Sequence, residues 1–217
     1  ICLDGNLGST FSVPVKMLKN EFSVNAFPCL ASLAIKDTAN KFAPGCYVSK
    51  FPNDVVCREH GSKTSGILIR RDYEFVSAVF GFNLVQAPPK DLLRREGITA
   101  CCLKNHAKEV PDRATFVLEA CKRTLKYLEE IDTPEKFIEI SNKGFNAMGP
   151  KLWRLEINNK NANIPVDGWI WCSTHKNAMF KGYLNGKEYD VHPFSFDGQT
   201  LVNPDNPLLI DVNKKAK

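Results

Sequence analysis

Residues Arg113–Ile131 read RATFVLEACKRTLKYLEEI. Val117, Cys121, Leu125, Leu128 and Ile131 recur at helical spacing, so a helix with one apolar stripe is predicted. Pro111-Asp112 supply its start signal, and Glu119–Arg123 and Lys126–Glu130 are i,i+4 ion pairs on the opposite side. Thr133-Pro134-Glu135 then opens a second helix, with an N-cap threonine, proline at the first helical position and an acid in the first turn. That helix is expected to bury Phe137, Ile138 or Ile140, Phe145 and Met148, and to stop at Gly149-Pro150. Only Asp132 and Thr133 lie between the two, which makes a helical hairpin at about 113–131 and 134–148.

Outward from the hairpin the pattern changes. Residues 1–88 read as β-rich with one helix. Phe11–Val15 and Phe22–Val24 are short extended segments, and a helix runs from Pro28-Cys29 to about Lys41, ended by Pro44-Gly45. Cys46–Lys50, Val55–Arg58 and Ile67–Arg70 are strands, with Gly61–Gly66 as a turn. Tyr73–Val85 is a buried strand kinked near Gly81, and Asp91–Arg95 is a short helix. Beyond residue 150 come strands Leu152–Ile157 and Trp169–Ser173 around an Asn-rich polar turn (158–163), then a hairpin, Met179–Leu184 and Lys187–His192, turning at Asn185-Gly186. No linker rich in Gly, Ser or Pro intervenes. The expected fold is α+β: a single domain, 1–217, of short antiparallel strands flanking a central helical hairpin. Subdivision into 1–88, 89–149 and 150–217 is the alternative.

Composition excludes several classes. The 217 residues are 43% hydrophobic and 24% charged, with net charge +5, which is incompatible with intrinsic disorder. No window approaches a membrane-spanning apolar run. The charge is uneven: residues 1–110 carry 14 Lys+Arg and 10 Asp+Glu, residues 111–217 carry 15 and 14. Eight cysteines (Cys2, Cys29, Cys46, Cys57, Cys101, Cys102, Cys121 and Cys172) lie in a chain without an Asn-x-Ser/Thr sequon. Reduced, mostly buried thiols in the cytoplasm or nucleus are the expectation. The start at Ile1 suggests a processed domain of a larger precursor, a viral one included.

Three chemistries compete for the polar residues. Cys57-x2-His60 and Cys102-x3-His106, with Cys101 adjacent, are two short-spaced pairs offering the thiolate and imidazole donors that zinc prefers. Cys172-x2-His175 is a third such pair, and Cys172 with His192 or Cys46 with His60 would suit thiol catalysis, though no nucleophile loop flanks them. His106, Pro111-Asp112, Glu119 and Lys122 follow the order of metal-dependent nuclease residues, but Glu119 and Lys122 belong to the polar face of a helix. Gly61–Gly66 is not a phosphate loop, because Lys63-Thr64 precede the second glycine.

The basic residues Arg58, Lys63, Arg70, Arg71, Arg94, Arg95, Lys104 and Lys108, with Lys90, form clusters suited to phosphates. In the 179–192 hairpin most rings share one face with Phe180 and Leu184, leaving Tyr183 and His192 for stacking. Trp169 and Trp171 lie on one strand face and, with Trp153, are expected in a core. The reading from sequence is therefore a non-enzymatic protein that binds RNA or another polyanion, or self-assembles, without an organic cofactor. A protein-interaction domain and a Cys/His- or metal-dependent hydrolase are the alternatives.

Overall fold

The computed structural model describes residues 3–18, 21–50, 53–93, 99–133, 135–137, 139–140, 151–157, 160–166, 170–174, 177–184 and 187–191. The fold is α+β. A five-stranded antiparallel sheet is formed by β1 (Leu7–Pro14), β2 (Tyr47–Lys50), β3 (Asp54–Cys57), β4 (Lys63–Arg71) and β5 (Phe75–Phe82). Its spatial order is β1-β5-β4-β3-β2, so the chain leaves the first edge strand, crosses through helix α1 (Glu21–Phe42), and returns strand by strand. Helix α2 (Arg113–Glu130) packs on α1.

Alternation explains which sheet face is covered. Val76, Ala78, Phe80 and Phe82 of β5, with Leu7 and Val13 of β1 and Ile67 of β4, point into the core with α1. Gly8, Thr10 and Ser12, Gly81, Leu68 and Arg70 point the other way and are exposed. Helix α1 is buried nearly all round: Phe27, Cys29, Leu30, Leu33, Ala34, Ile35 and Ala39 are each at most 2% exposed. Such a helix occupies the middle of a domain rather than its surface.

The two helices are joined by polar bonds at their margins. Tyr127 donates its hydroxyl hydrogen to Asp37, and Lys41 pairs with Glu119 at 3.0 Å, which also holds Arg123 at 2.8 Å. The Lys41 hydrogen bond, with Arg123 nearby, holds the Glu119 carboxyl below the ordinary range despite partial desolvation. Asp112 caps α2 by accepting from the Thr115 amide at 2.9 Å.

Several expectations need correction. Phe22–Val24 is helical, not extended, because α1 begins at Glu21 and contains Pro28 within it; proline forfeits a hydrogen bond there without ending the helix. The most buried line of α2 is Phe116, Ala120 and Thr124; of the predicted set Ile131 is buried, Val117 and Leu128 pack against the core, and Leu125 is 40% exposed. Thr124 fits this stripe by bonding back to the Ala120 carbonyl. The turn expected at 61–66 is shorter, since Lys63–Gly66 begins β4; Thr64 and Ser65 satisfy their hydroxyls on Cys101 and the Gly81 carbonyl. Gly81 makes no kink and pairs in register with Gly8 and Gly66. Asp91–Arg95 is reduced to a 3-10 turn at Lys90–Leu92, with residues 94–98 outside the described set.

Thr133 caps the following turn, accepting from the Lys136 amide at 3.2 Å, and Phe137 is fully buried. Residues 135–137 and 139–140 are helical; Phe145, Met148 and Gly149-Pro150 lie outside the described residues. Further along, β6 (Lys151–Ile157) pairs with β7 (Lys160–Val166), so the polar stretch is mainly a strand rather than a turn. β9 (Asn177–Leu184) lies between β8 (Ile170–Thr174) and β10 (Lys187–Val191). The hairpin has the expected register, with Lys181 opposite Asp190 and Phe180 opposite Val191.

Phe116→Ala is expected to cost about 3–5 kcal/mol in urea unfolding, and Leu125→Ala less than about 1 kcal/mol. The order would reverse if the Leu125 stripe were the buried one. Because the Glu119 carboxyl is held low, its contribution is present above the unfolded value and lost as pH falls through the folded one. Glu119→Gln should therefore destabilise by up to about 1 kcal/mol near neutrality, and the difference should vanish in acid.

Candidate metal centre and the open face of the sheet

Cys57 ends β3, His60 sits in the turn after it, and His106 follows the 3-10 turn Leu103–Asn105. One ligand atom from each lies within 4.8 Å of those of the other two. Cys57 Sγ and His106 Nε2 are 3.6 Å apart. Zinc bonds of about 2.3 Å to sulfur and 2.0–2.1 Å to nitrogen, at a tetrahedral angle, separate the two ligand atoms by about 3.6 Å. The pair thus already has the spacing of two ligands on one ion. Tyr47, fully buried, meets the His106 ring edge-on at 5.7 Å and donates its hydroxyl hydrogen to the Cys102 carbonyl at 3.1 Å. Burial, reinforced by neighbouring Cys101, Cys57, Cys102 and Cys46, raises the Tyr47 hydroxyl far above its ordinary range.

Of the four ligands expected from sequence, Cys57, His60 and His106 converge and Cys102 does not. The Cys102 thiol donates toward Asn105 Oδ1 at 3.1 Å and the Val85 carbonyl at 3.3 Å. Its neighbour Cys101 is buried against Thr64 Oγ1 at 2.7 Å. Burial, with Cys57 and Cys102 nearby, pushes the Cys101 thiol up to about 11 against the Thr64 hydrogen bond. Burial alone raises Cys29. Cys29, Cys46, Cys57, Cys101, Cys102 and Cys121 are free thiols, as expected. Cys46 makes its described thiol contact with the Pro44 carbonyl at 3.7 Å, not with His60. Cys172 side-chain geometry, His175 and His192 lie outside the described residues, as do the side chains of Trp153 and Trp171 and all of Trp169.

A second feature went unnoticed in the sequence. Gly8, Gly81, Gly66 and Asp54 form one row across β1, β5, β4 and β3 on the sheet face opposite α1. The Asp54 side chain is 6% exposed and pairs with Lys63 Nζ at 2.6 Å. A Cβ on Gly66 would lie 3.0 Å from Lys63 Cε and 3.1 Å from Nζ, so glycine there lets the ammonium lie across the strand. The Lys63 backbone is held too: its amide donates to Thr99, and its carbonyl accepts from Cys101. Asn53, next to Asp54, donates to the Ile67 carbonyl at 2.6 Å, while its Oδ1 is buried without a partner among the described residues.

Lys63 and Arg70 stand toward opposite ends of one strand. Arg70 lies seven residues along β4 from Lys63, about 23 Å away at strand rise. Arg71 is the next residue, on the opposite side of the strand. Arg58 donates to the Gly45 carbonyl, Lys104 and Lys108 are exposed near His106, and Lys90 is exposed on its 3-10 turn. Arg94 and Arg95 lie outside the described residues. Asp112 serves as a helix cap and Glu119 as an interhelix clamp, so the nuclease order carries no shared site.

No protein-family model and no curated protein matches the chain. Solved structures do. Biotin protein ligase from Aquifex aeolicus, in complex with biotin and ATP, superposes with TM-score 0.60 at 18% identity, over 87% of this chain and 79% of that one. The Leishmania major biotin protein ligase with biotinyl-5-AMP gives 0.55 at 20%, over 76% of each chain. A biotin protein ligase-like protein of unknown function from a Silicibacter species gives 0.57 at 8%, over 88% and 80%. At these identities the likeness is one of fold. It corrects the expectation of a non-enzymatic RNA-binding or self-assembling protein, and of a viral one, since the matched structures are biotin ligases and a ligase-like protein.

Alkylation near pH 8 followed by mass spectrometry should modify the partly exposed Cys46 well before Cys29 and Cys101. A thiol at about 11 is thiolate in about one molecule in a thousand at that pH. Early labelling of Cys101 would contradict this burial.

Proposed function

We propose that this chain is the core of a biotin ligase-type enzyme, which binds biotin or a similar carboxylic acid with ATP on the open face of the sheet. The observation that carries the reading is a ligase-like fold over 87% of the chain in which a side-chain-free row runs to a fixed cation, Lys63. Fold likeness alone does not assign a reaction, so the local chemistry has to agree with it.

Formation of an acyl-adenylate such as biotinyl-5-AMP requires a carboxylate oxygen to attack the α-phosphorus of ATP while pyrophosphate leaves. Negative charge builds on the phosphate oxygens as this happens, and a preorganised cation at that place lowers the barrier. In this reading Lys63 supplies the cation. Asp54 is a positioning residue, fixing the ammonium at 2.6 Å, and Gly66 leaves room for both. Gly81 and Gly8 offer bare backbone for a flat ligand to approach. The mixed anhydride would then be open to an amine nucleophile, with AMP as leaving group. The expectation that no organic cofactor is involved gives way to biotin and ATP as candidate ligands.

Isothermal titration should detect biotin and ATP binding to the chain, and biotin-dependent release of pyrophosphate should follow. Gly81→Val fills the row, while a Cβ there meets nothing closer than the Leu7 carbonyl at 3.8 Å. That variant should keep its Tm and lose binding by at least about tenfold, or 1.4 kcal/mol. Absence of binding by the parent chain, or full binding by Gly81→Val, would refute the placement.

A further inference from the structure

We propose that Cys57, His60 and His106 form a site for one zinc-like divalent ion, separate from the ligand row and independent of the ligase reading. A thiolate and two imidazoles form a borderline-soft set that favours zinc or cobalt over magnesium or calcium, which take oxygen ligands. The Cys57–His106 spacing of 3.6 Å needs no adjustment. His60 is exposed on a turn, and its Nδ1 accepts only a long 3.4 Å bond from the Ser62 amide, so its ring can swing onto the ion at little cost. The His60 and His106 rings are already 6.1 Å apart, centroid to centroid. Cys102 is committed to Asn105 and Val85, so a solvent molecule on the exposed side completes the tetrahedron.

Binding transfers the Cys57 thiol proton to solvent and forms one metal–sulfur and two metal–nitrogen bonds. The ion would clip the turn after β3 to the segment 103–106. That segment continues directly from Thr99–Cys101, which holds the Lys63 backbone. The clip therefore braces the start of β4 from outside the sheet.

The test is titration of the metal-stripped, reduced chain with cobalt, whose thiolate charge-transfer and tetrahedral bands report the ligand set without biotin or ATP. One equivalent should bind with a thiolate band, and zinc should displace it. His60→Ala, Cys57→Ser and His106→Ala should each lose stoichiometric binding, whereas Cys46→Ser and Cys102→Ser should keep it. His60 is exposed, so His60→Ala decides the matter even if the buried Cys57→Ser fails to fold. No stoichiometric binding by the parent chain would overturn the site. So would unchanged bands in His60→Ala, or their loss in a folded Cys102→Ser.

Discussion

The Asp54 side chain is almost wholly buried at the edge of a sheet face, and a buried carboxylate is costly unless a cation meets it. Lys63 is that cation, and the rest of the candidate site follows from keeping it there. Its stem crosses Gly66, where an added Cβ would lie 3.0 Å from Lys63 Cε and push the stem aside by a few tenths of an ångström. Its backbone is held at the start of β4 by a parallel bridge to Ala100, in which its amide donates to Thr99 and its carbonyl accepts from Cys101. Removing Lys63 would leave the carboxylate without its cation; because the lysine side chain is 41% exposed and screened by solvent, the cost is on the order of 1 kcal/mol. A folding requirement and the candidate binding row thus share the same atoms.

The bracing extends outward in layers. The segment that holds Lys63 also delivers Leu103 to the core and His106 to Cys57. Ser62, between His60 and Lys63, joins the same seam through its hydroxyl contact with Thr99 at 2.6 Å. Beneath the sheet, α1 presents small and apolar residues over most of its surface and a polar margin at Asp37 and Lys41, which lets strands and α2 close around it. Ser32 and Ser49 show how exacting that contact is: each hydroxyl reaches a backbone carbonyl across the helix–sheet boundary.

Local signals in the sequence carried as far as local physics does. Helix α2, its Asp112 start, the Thr133 cap and the register of the last hairpin were all legible, because capping and period depend on near neighbours. The most buried line of α2 runs through Thr124, which hides its hydroxyl on Ala120 and so behaves as a core residue, while Val117 and Leu128 pack beside it. Pro28 misled because burial of α1 outweighs one lost backbone bond. The glycine row was invisible, since Gly8, Gly66 and Gly81 become neighbours only through strand register. The Cys/His cluster was legible in three of its four members, and Cys102 failed because its thiol has nearer acceptors in Val85 and Asn105. Charge counted along a chain says nothing of which sheet face or end receives it: Lys63 and Arg70 share β4 yet stand toward its opposite ends.

Hydrogen exchange with and without biotin plus ATP tests the central claim most directly, because it reports where ligands hold the backbone. The account predicts slowed exchange at the start of β4 and around Thr99–Cys101, with Gly81 also protected. Protection confined to α2, or none at saturating ligand, would contradict the assignment of the Lys63 row as the binding face.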